Sequence, residues 1–133
     1  MQNLGAFFKD FLDWANAEEN INGIFLVGSY ASDRAKETSD VDLIIITDEP
    51  FLYLTNNYWI EVFGKTTIVK DEDWGLLKTK RAYFDNGLEI EFNITTNEWM
   101  RVPADPETKK VLAEGNKILL DKAGKLKNFI AQI

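Results

Sequence analysis

The sequence predicts an α/β (α+β) fold, a mixed β-sheet flanked by helices, on three observations. Apolar residues recur at helical spacing near the N-terminus, short apolar runs bounded by turn residues follow, and one hairpin alternates between apolar and polar positions. Phe7, Phe8, Phe11, Leu12, Trp14 and Ala15 follow the i, i+3, i+4, i+7 rule and open the chain as a helix. Asn22-Gly23 ends that pattern and launches a first strand, Gly23 to Val27. Residues 30–36 are expected to form a short helix whose N-terminus faces the Gly28-Ser29 turn. Val41 to Thr47 is the second strand, apolar on both faces at its far end, as a central strand is.

Pro50 stops that strand, and Leu54, Tyr58, Trp59 and Val62 mark a helix from Leu52 to Phe63, closed by Gly64. Thr66 to Val69 is a short strand, and Trp74 to Thr79 fits neither class cleanly. Arg81 to Phe84, the turn Asp85-Asn86-Gly87 and Leu88 to Thr95 form the clearest hairpin. In its second strand Leu88, Ile90, Phe92 and Ile94 share one face, and Glu89, Glu91 and Asn93 share the other. After Pro103 and Pro106 come a helix from Glu107 to Glu114, a strand Lys117 to Leu120, a turn at Ala123-Gly124 and a last helix to Ile133. No repeat or interdomain linker interrupts residues 1–133, so the expectation is a single domain.

Composition narrows the chemistry. The chain is 45% hydrophobic and 13% aromatic, enough for a core in a domain that buries about two-thirds of its unfolded surface. A net charge of −7 makes a poor nucleic-acid binder, because phosphate backbones are held by basic surfaces. A small anionic substrate carried with a divalent metal stays compatible, and a cationic acceptor would be drawn to an acidic rim. With no cysteine and no histidine, disulfides, thiolate nucleophiles, imidazole bases and the common zinc sites are excluded. Acid–base and metal chemistry must rest on Asp, Glu, Lys and Tyr, and oxygen-only ligands select Mg²⁺, Mn²⁺ or Ca²⁺. The charged, amphipathic N-terminus is unlike a signal peptide, and no apolar run approaches the ~20 residues of a membrane span. Cytoplasmic localisation without a membrane partner is the expectation.

Gly28-Ser29, a ten-residue spacer and then Asp40-Val41-Asp42 carry the functional signal. Two carboxylates at i and i+2 on a strand point to one side of the sheet, their Cα atoms roughly 6.5 Å apart. Their oxygens can converge on hard cations, and a two-metal site holds its ions about 3.5–4 Å apart. A Gly-Ser turn beside them presents backbone N–H groups and a hydroxyl to a phosphate chain. A third acid would complete such a site. Glu91 is the candidate, on the polar face of a strand expected to pair beside Asp40 and Asp42, with Glu89 as the fallback. Taken alone, Glu89 and Glu91 also fit the solvated face of an antiparallel strand. Lys78, Lys80 and Arg81 are candidates to neutralise a triphosphate, or a solvated basic cluster. Trp14 and Trp59 lie on apolar stripes and are read as core; Trp99 and Met100 are read as core or as walls of an acceptor pocket.

The run Gly28-Ser29, spacer, Ser39-Asp40-Val41-Asp42-Leu43-Ile44-Ile45-Ile46 resembles the nucleotidyltransferase superfamily with the polymerase-β-type palm, at the spacing of its minimal members. A second resemblance is carried by Thr47-Asp48-Glu49-Pro50-Phe51-Leu52, Trp59-Ile60-Glu61-Val62-Phe63-Gly64-Lys65, Phe84-Asp85-Asn86-Gly87-Leu88-Glu89-Ile90-Glu91-Phe92 and Gly115-Asn116-Lys117-Ile118-Leu119-Leu120-Asp121-Lys122. These segments are similar to the catalytic half of aminoglycoside 6-adenylyltransferases of the streptomycin-modifying type, from the first helix to about residue 127. The resemblance implies a palm-like fold and Mg²⁺ (or Mn²⁺), two ions, held by Asp40, Asp42 and Glu91. It implies ATP as co-substrate, gripped by Gly28, Ser29 and Ser39.

Three departures accompany it. Tyr30 and Ser32 stand where the family often has arginine, leaving Arg34 and Lys36 as candidate phosphate ligands. The third acid is Glu where Asp is usual. The larger relatives continue into a C-terminal helical domain, which the resemblance implies this chain lacks. The implied reaction is metal-dependent adenylyl transfer from ATP to an acceptor hydroxyl with release of pyrophosphate. The acceptor is either a small molecule such as an aminoglycoside or a helical partner protein, as for an antitoxin that adenylylates its toxin; a homo-oligomer is the other source of missing helices. A catalytically inactive nucleotide-binding remnant is the rival reading.

Overall fold

The two most apolar segments pair at the centre of the sheet, and the rest of the architecture follows from covering them. The computed structural model describes residues 4–36 and 39–133. Strands β1 (Ile21–Val27) and β2 (Val41–Thr47) run antiparallel and are buried along almost their whole length. β2 pairs in parallel with β5 (Glu89–Thr95), which pairs antiparallel with β4 (Leu77–Phe84), which in turn pairs with β3 (Thr66–Trp74). β6 (Asn116–Asp121) closes the other edge, giving the order β3-β4-β5-β2-β1-β6.

Period-two alternation divides the core between two faces. On the first, Ile24, Leu26, Leu43, Ile45, Ile90, Phe92 and Ile94 meet helix α1 (Leu4–Ala17) through Phe7, Phe11 and Ala15. An aromatic cluster seals it: the rings of Trp14 and Trp59 stack at 5.3 Å, and Trp59 meets Phe92 edge-on at 4.9 Å. On the second face, Phe25, Val27, Ile44 and Ile46 pack with Trp99, Leu112, Leu126 and Phe129, the last three from α3 (Pro106–Ala113) and α4 (Lys125–Gln132). Gly23 permits that docking. A Cβ there would lie 2.5 Å from a Leu126 methyl and 2.8 Å from the Leu120 carbonyl oxygen. Among the described residues, no helix is long and apolar enough to cross a membrane.

The strands, the opening helix and the mixed sheet agree with the sequence expectation, and three segments differ. Residues 30–33 form turns and 34–36 run as irregular backbone instead of a helix. Asp33 takes the left-handed conformation (φ 59°), and the Ser29 carbonyl accepts from the amides of both Ser32 and Arg34, so helical bonding cannot propagate. The helix expected from Leu52 to Phe63 breaks into α2 (Phe51–Leu54) and a 3-10 turn at Ile60–Phe63. The Asn56 carboxamide accepts from the Tyr58 amide and offers the backbone an alternative to the helix. Trp74 to Thr79 resolves into a two-residue hairpin turn with Gly75 at φ 79°, and β3 runs to Trp74, well past Val69. Its charges Asp71, Glu72 and Asp73 hide a strand in the sequence. At the sheet edge Asp71 and Asp73 lie opposite Lys80 and Lys78 on β4, and Glu72, opposite Thr79, reaches diagonally to Arg81.

Candidate active site

Register alone brings the acids together. In the parallel β2–β5 pair Asp42 lies opposite Glu91, and in the antiparallel β4–β5 pair Glu91 lies opposite Arg81. Val41 and Ile90 belong to the first core face, so Asp42 and Glu91 project from the second. Asp40, two residues before Asp42, joins them through the Arg81 guanidinium, 3.5 Å from its Oδ2. The structure therefore gathers Asp40, Asp42 and Glu91 on one side of the sheet.

Charge crowding is the dominant electrostatic fact. Arg81 Nη1 contacts Glu91, Glu89 (3.0 Å) and Asp40, while its Nε and Nη2 bond Glu72 in a bidentate pair at 3.2 Å each. Four carboxylates thus share one guanidinium, and those hydrogen bonds, Glu72 foremost, hold its proton more tightly than usual. Burial pushes the carboxyls of Asp42 and Glu91 above the ordinary carboxylate range. Repulsion from Asp40 adds to both shifts and repulsion from Asp42 to that of Glu91, while hydrogen bonds with Glu91 and Asn93 pull Asp42 back.

Lys78 and Lys80, on the opposite face of β4, pair instead with Asp73 (2.7 Å) and Asp71 (3.0 Å), so of that basic cluster only Arg81 reaches the acids. The basic-cluster reading missed this distinction, although strand alternation separates residues 78 and 80 from 81. Sequence reasoning also passed over Glu72, Thr79 and Asn93. Asn93, nearly buried, donates from Nδ2 to an Asp42 oxygen and to the Leu43 carbonyl, and Thr79 bonds its Oδ1. Its place on the Glu91 face was the available signal.

The donor chemistry suits a hard divalent cation: oxygen ligands only, clustered and under-neutralised. As they stand, no three acids among the described residues form a ready-made cation cage, and Arg81 engages Glu91.

The Gly28-Ser29 turn abuts this cluster. Gly28 has φ +75°, the conformation that favours glycine, and a Cβ there would make ordinary contact with Asp42, 3.4 Å from its Cβ and 3.6 Å from its Oδ2, so the turn lies directly against that acid. Beyond it, Ser32 Oγ donates to the Gly28 carbonyl at 3.2 Å. The Arg34 guanidinium bonds Ser32 Oγ (2.7 Å) and the Glu114 carbonyl (3.2 Å), tying the loop to the end of α3. Ser39 closes the loop through Lys36: its Oγ accepts from the Lys36 amide, and its own amide donates to the Lys36 carbonyl. Arg34 and Lys36 are both exposed. Trp99 and Met100 are buried against the second face, with the Trp99 and Phe25 rings 5.8 Å apart, and so pack in the core, Trp99 with one edge on a cleft. A cleft of about 570 Å³ opens beside Trp74, Leu76, Trp99 and Val111, and the catalytic candidates do not line it.

Comparison with known proteins agrees with this architecture. An aminoglycoside 6-adenyltransferase from Bacillus subtilis superposes with a TM-score of 0.62 over 92% of this chain and 42% of its own, at 19% identity. At that identity the likeness establishes the fold, and the chain spans less than half the length of that structure. No curated protein matches the sequence. The family model of streptomycin adenylyltransferase matches residues 1–132, and the chain belongs to that family of nucleotidyltransferases.

Proposed function

We propose that this chain carries out metal-dependent adenylyl transfer from ATP to an acceptor hydroxyl, releasing pyrophosphate. One observation carries the reading: Asp42 and Glu91 stand opposite each other on parallel strands, with Asp40 two residues away and Gly28 against Asp42. Asp40, Asp42 and Glu91 are the residues that would hold two Mg²⁺ (or Mn²⁺) ions. Such ions, when bound, supply neutralisation of the triphosphate and a lowered pKa for the attacking hydroxyl.

The chain's own groups divide the remaining work. The Ser29 hydroxyl and the amides of the Gly28-Ser29 turn bind the β and γ phosphates. Glu91 lies on the strand face that would meet the acceptor hydroxyl and helps to deprotonate it, directly or through the ion it would hold. The hydroxyl oxygen bonds to the α-phosphorus as the bond to the bridging oxygen breaks, and pyrophosphate leaves in line. Positioning and charge neutralisation supply most of the acceleration. The acceptor is a small molecule, and the acidic strand face favours a cationic one such as an aminoglycoside. The family model's name and the name of the similar structure point the same way.

The test is pyrophosphate release from Mg²⁺-ATP across a panel of aminoglycosides. The expected result is turnover by the native chain on at least one acceptor and a loss of more than about a hundredfold in Asp42→Asn at unchanged melting temperature. Full activity in that variant would refute the assignment of Asp42.

A further inference from the structure

We infer that Thr79 and Asn93 are positioning residues of the adenylyl-transfer site, a buried two-step relay that fixes the rotamer of Asp42. The inference rests on the reading of Asp42 as a metal ligand, and it assigns residues that neither the motif nor the family match singles out. Thr79 and Asn93 face each other across β4 and β5, and both side chains are almost fully buried, at 2% and 6% exposure. Their bonds admit one arrangement only. The Asn93 amide group meets an Asp42 carboxylate oxygen and the Leu43 carbonyl, and both of these only accept. Its nitrogen must therefore point to β2. Its Oδ1 must then point to β4, where the Thr79 hydroxyl donates to it. A flipped amide would set oxygen against oxygen at Asp42 and at the Leu43 carbonyl, so those acceptors fix the amide's orientation, and Thr79 braces it from the other side.

The consequence for Asp42 is orientation. Asn93 engages Oδ1, Oδ2 lies on the side of Gly28, and the carboxylate is thereby held in a defined orientation. Hydrogen bonds of this kind orient metal-binding carboxylates, and their loss typically weakens metal affinity by about 10–100-fold. Two neutral side chains suit the task because a cationic donor would compete with the metal for the carboxylate. Arg81, by contrast, holds Glu91 and leaves Asp42 to the relay.

The experiment measures Mn²⁺ affinity in the presence of a non-hydrolysable ATP analogue, from the electron paramagnetic resonance signal of free Mn²⁺, for the native chain, Thr79→Val, Thr79→Ser and Asn93→Ala. Thr79→Val keeps the side-chain shape and removes the donor. It is expected to weaken Mn²⁺ binding by about tenfold, with Asn93→Ala at the upper end of the 10–100-fold range. Thr79→Ser keeps the hydroxyl and is expected to bind within about twofold of the native chain, a rescue that a purely structural role would not give. Native-like Mn²⁺ affinity in both folded Thr79→Val and Asn93→Ala overturns the relay while leaving the metal reading intact. If Thr79→Val does not fold, equal affinity of Asn93→Ala and the native chain overturns it alone. Failure of the native chain to bind Mn²⁺ with the nucleotide analogue overturns both.

Discussion

The acids on the strands and the loop that faces them reach the same site by different means. Asp42, Glu91 and Arg81 are placed by ladder register across three adjacent strands, and a one-residue slip would turn each apolar neighbour, Val41, Ile90 and Ala82, out of the core. The loop from Gly28 to Lys36 has no such anchor. It is shaped by two left-handed residues, Gly28 and Asp33, and by side-chain bonds from Ser32, Arg34 and Ser39. Chemistry mounted on strands inherits the rigidity of the core, whereas chemistry mounted on a turn depends on a handful of local hydrogen bonds. Substitutions in the two regions should accordingly differ in kind as well as in size.

The largest effect after loss of Asp42 is expected at Glu91. Glu91→Gln should lower the transfer rate by about 10²–10⁴-fold, the range for removal of a positioned acid–base group. It should also change the pH dependence of stability. Asp42 and Glu91 bind protons more tightly in the folded chain than in the unfolded one, burial being the first cause. Their contribution to stability is therefore complete below the ordinary carboxylate range near about pH 4 and is lost as pH rises through the raised folded range. Metal-free native protein should lose melting temperature toward neutral and alkaline pH through this pair, and added Mg²⁺ should restore it. In Glu91→Gln the decline should be shallower, because one ionisation and its repulsion are gone. Other carboxylates titrate too, Glu72 in the opposite direction beside Arg81, so the difference between the two proteins is the quantity to measure. Identical slopes would mean that the pair carries no folded-state strain.

An intermediate effect is expected where the two regions touch. Gly28→Ala places a methyl group at φ +75°, at a cost of roughly 1–2 kcal/mol, and presses it toward Asp42 Cβ at 3.4 Å. The expected outcome is a folded protein with melting temperature lowered by several degrees and transfer slowed by about tenfold. Native activity at native stability would show that the turn does not set the position of Asp42.

This division also governs what could be seen in the sequence. Asp40, Asp42 and Glu91 were legible because strand alternation has period two and the apolar face fixes which side the acids take. Asn93 was visible on that face, but its role depends on a cross-strand partner, Thr79, in a segment whose class was ambiguous. Glu72 was hidden because an edge strand rich in Asp and Glu looks like a loop until the basic strand beside it is known. The 30–36 segment misled for a local reason. Its composition suits a helix, but one left-handed Asp33 and the doubly used Ser29 carbonyl replace helical bonding with turns.

Arg34 offers the smallest expected effect and the sharpest test of the contrast. The resemblance leaves it, with Lys36, as a candidate phosphate ligand in place of arginines that relatives carry nearer the Gly-Ser turn. The structure turns its guanidinium to Ser32 Oγ and the Glu114 carbonyl, where it staples the loop to the junction of α3 and β6. Gly115 reinforces that contact, since a Cβ there would lie 2.9 Å from Ser32 Cβ. As a staple on an exposed surface, Arg34 should be worth about 1 kcal/mol. Its removal in Arg34→Ala should lower melting temperature slightly and leave the KM for ATP within about threefold of native, since less than 1 kcal/mol of nucleotide binding is at stake. A phosphate ligand would behave differently: a lost charge-assisted bond costs about 1.5–3 kcal/mol, which raises KM tenfold or more. A large rise in KM without loss of stability would therefore move Arg34 into the nucleotide site. It would also show that the loop rearranges on binding.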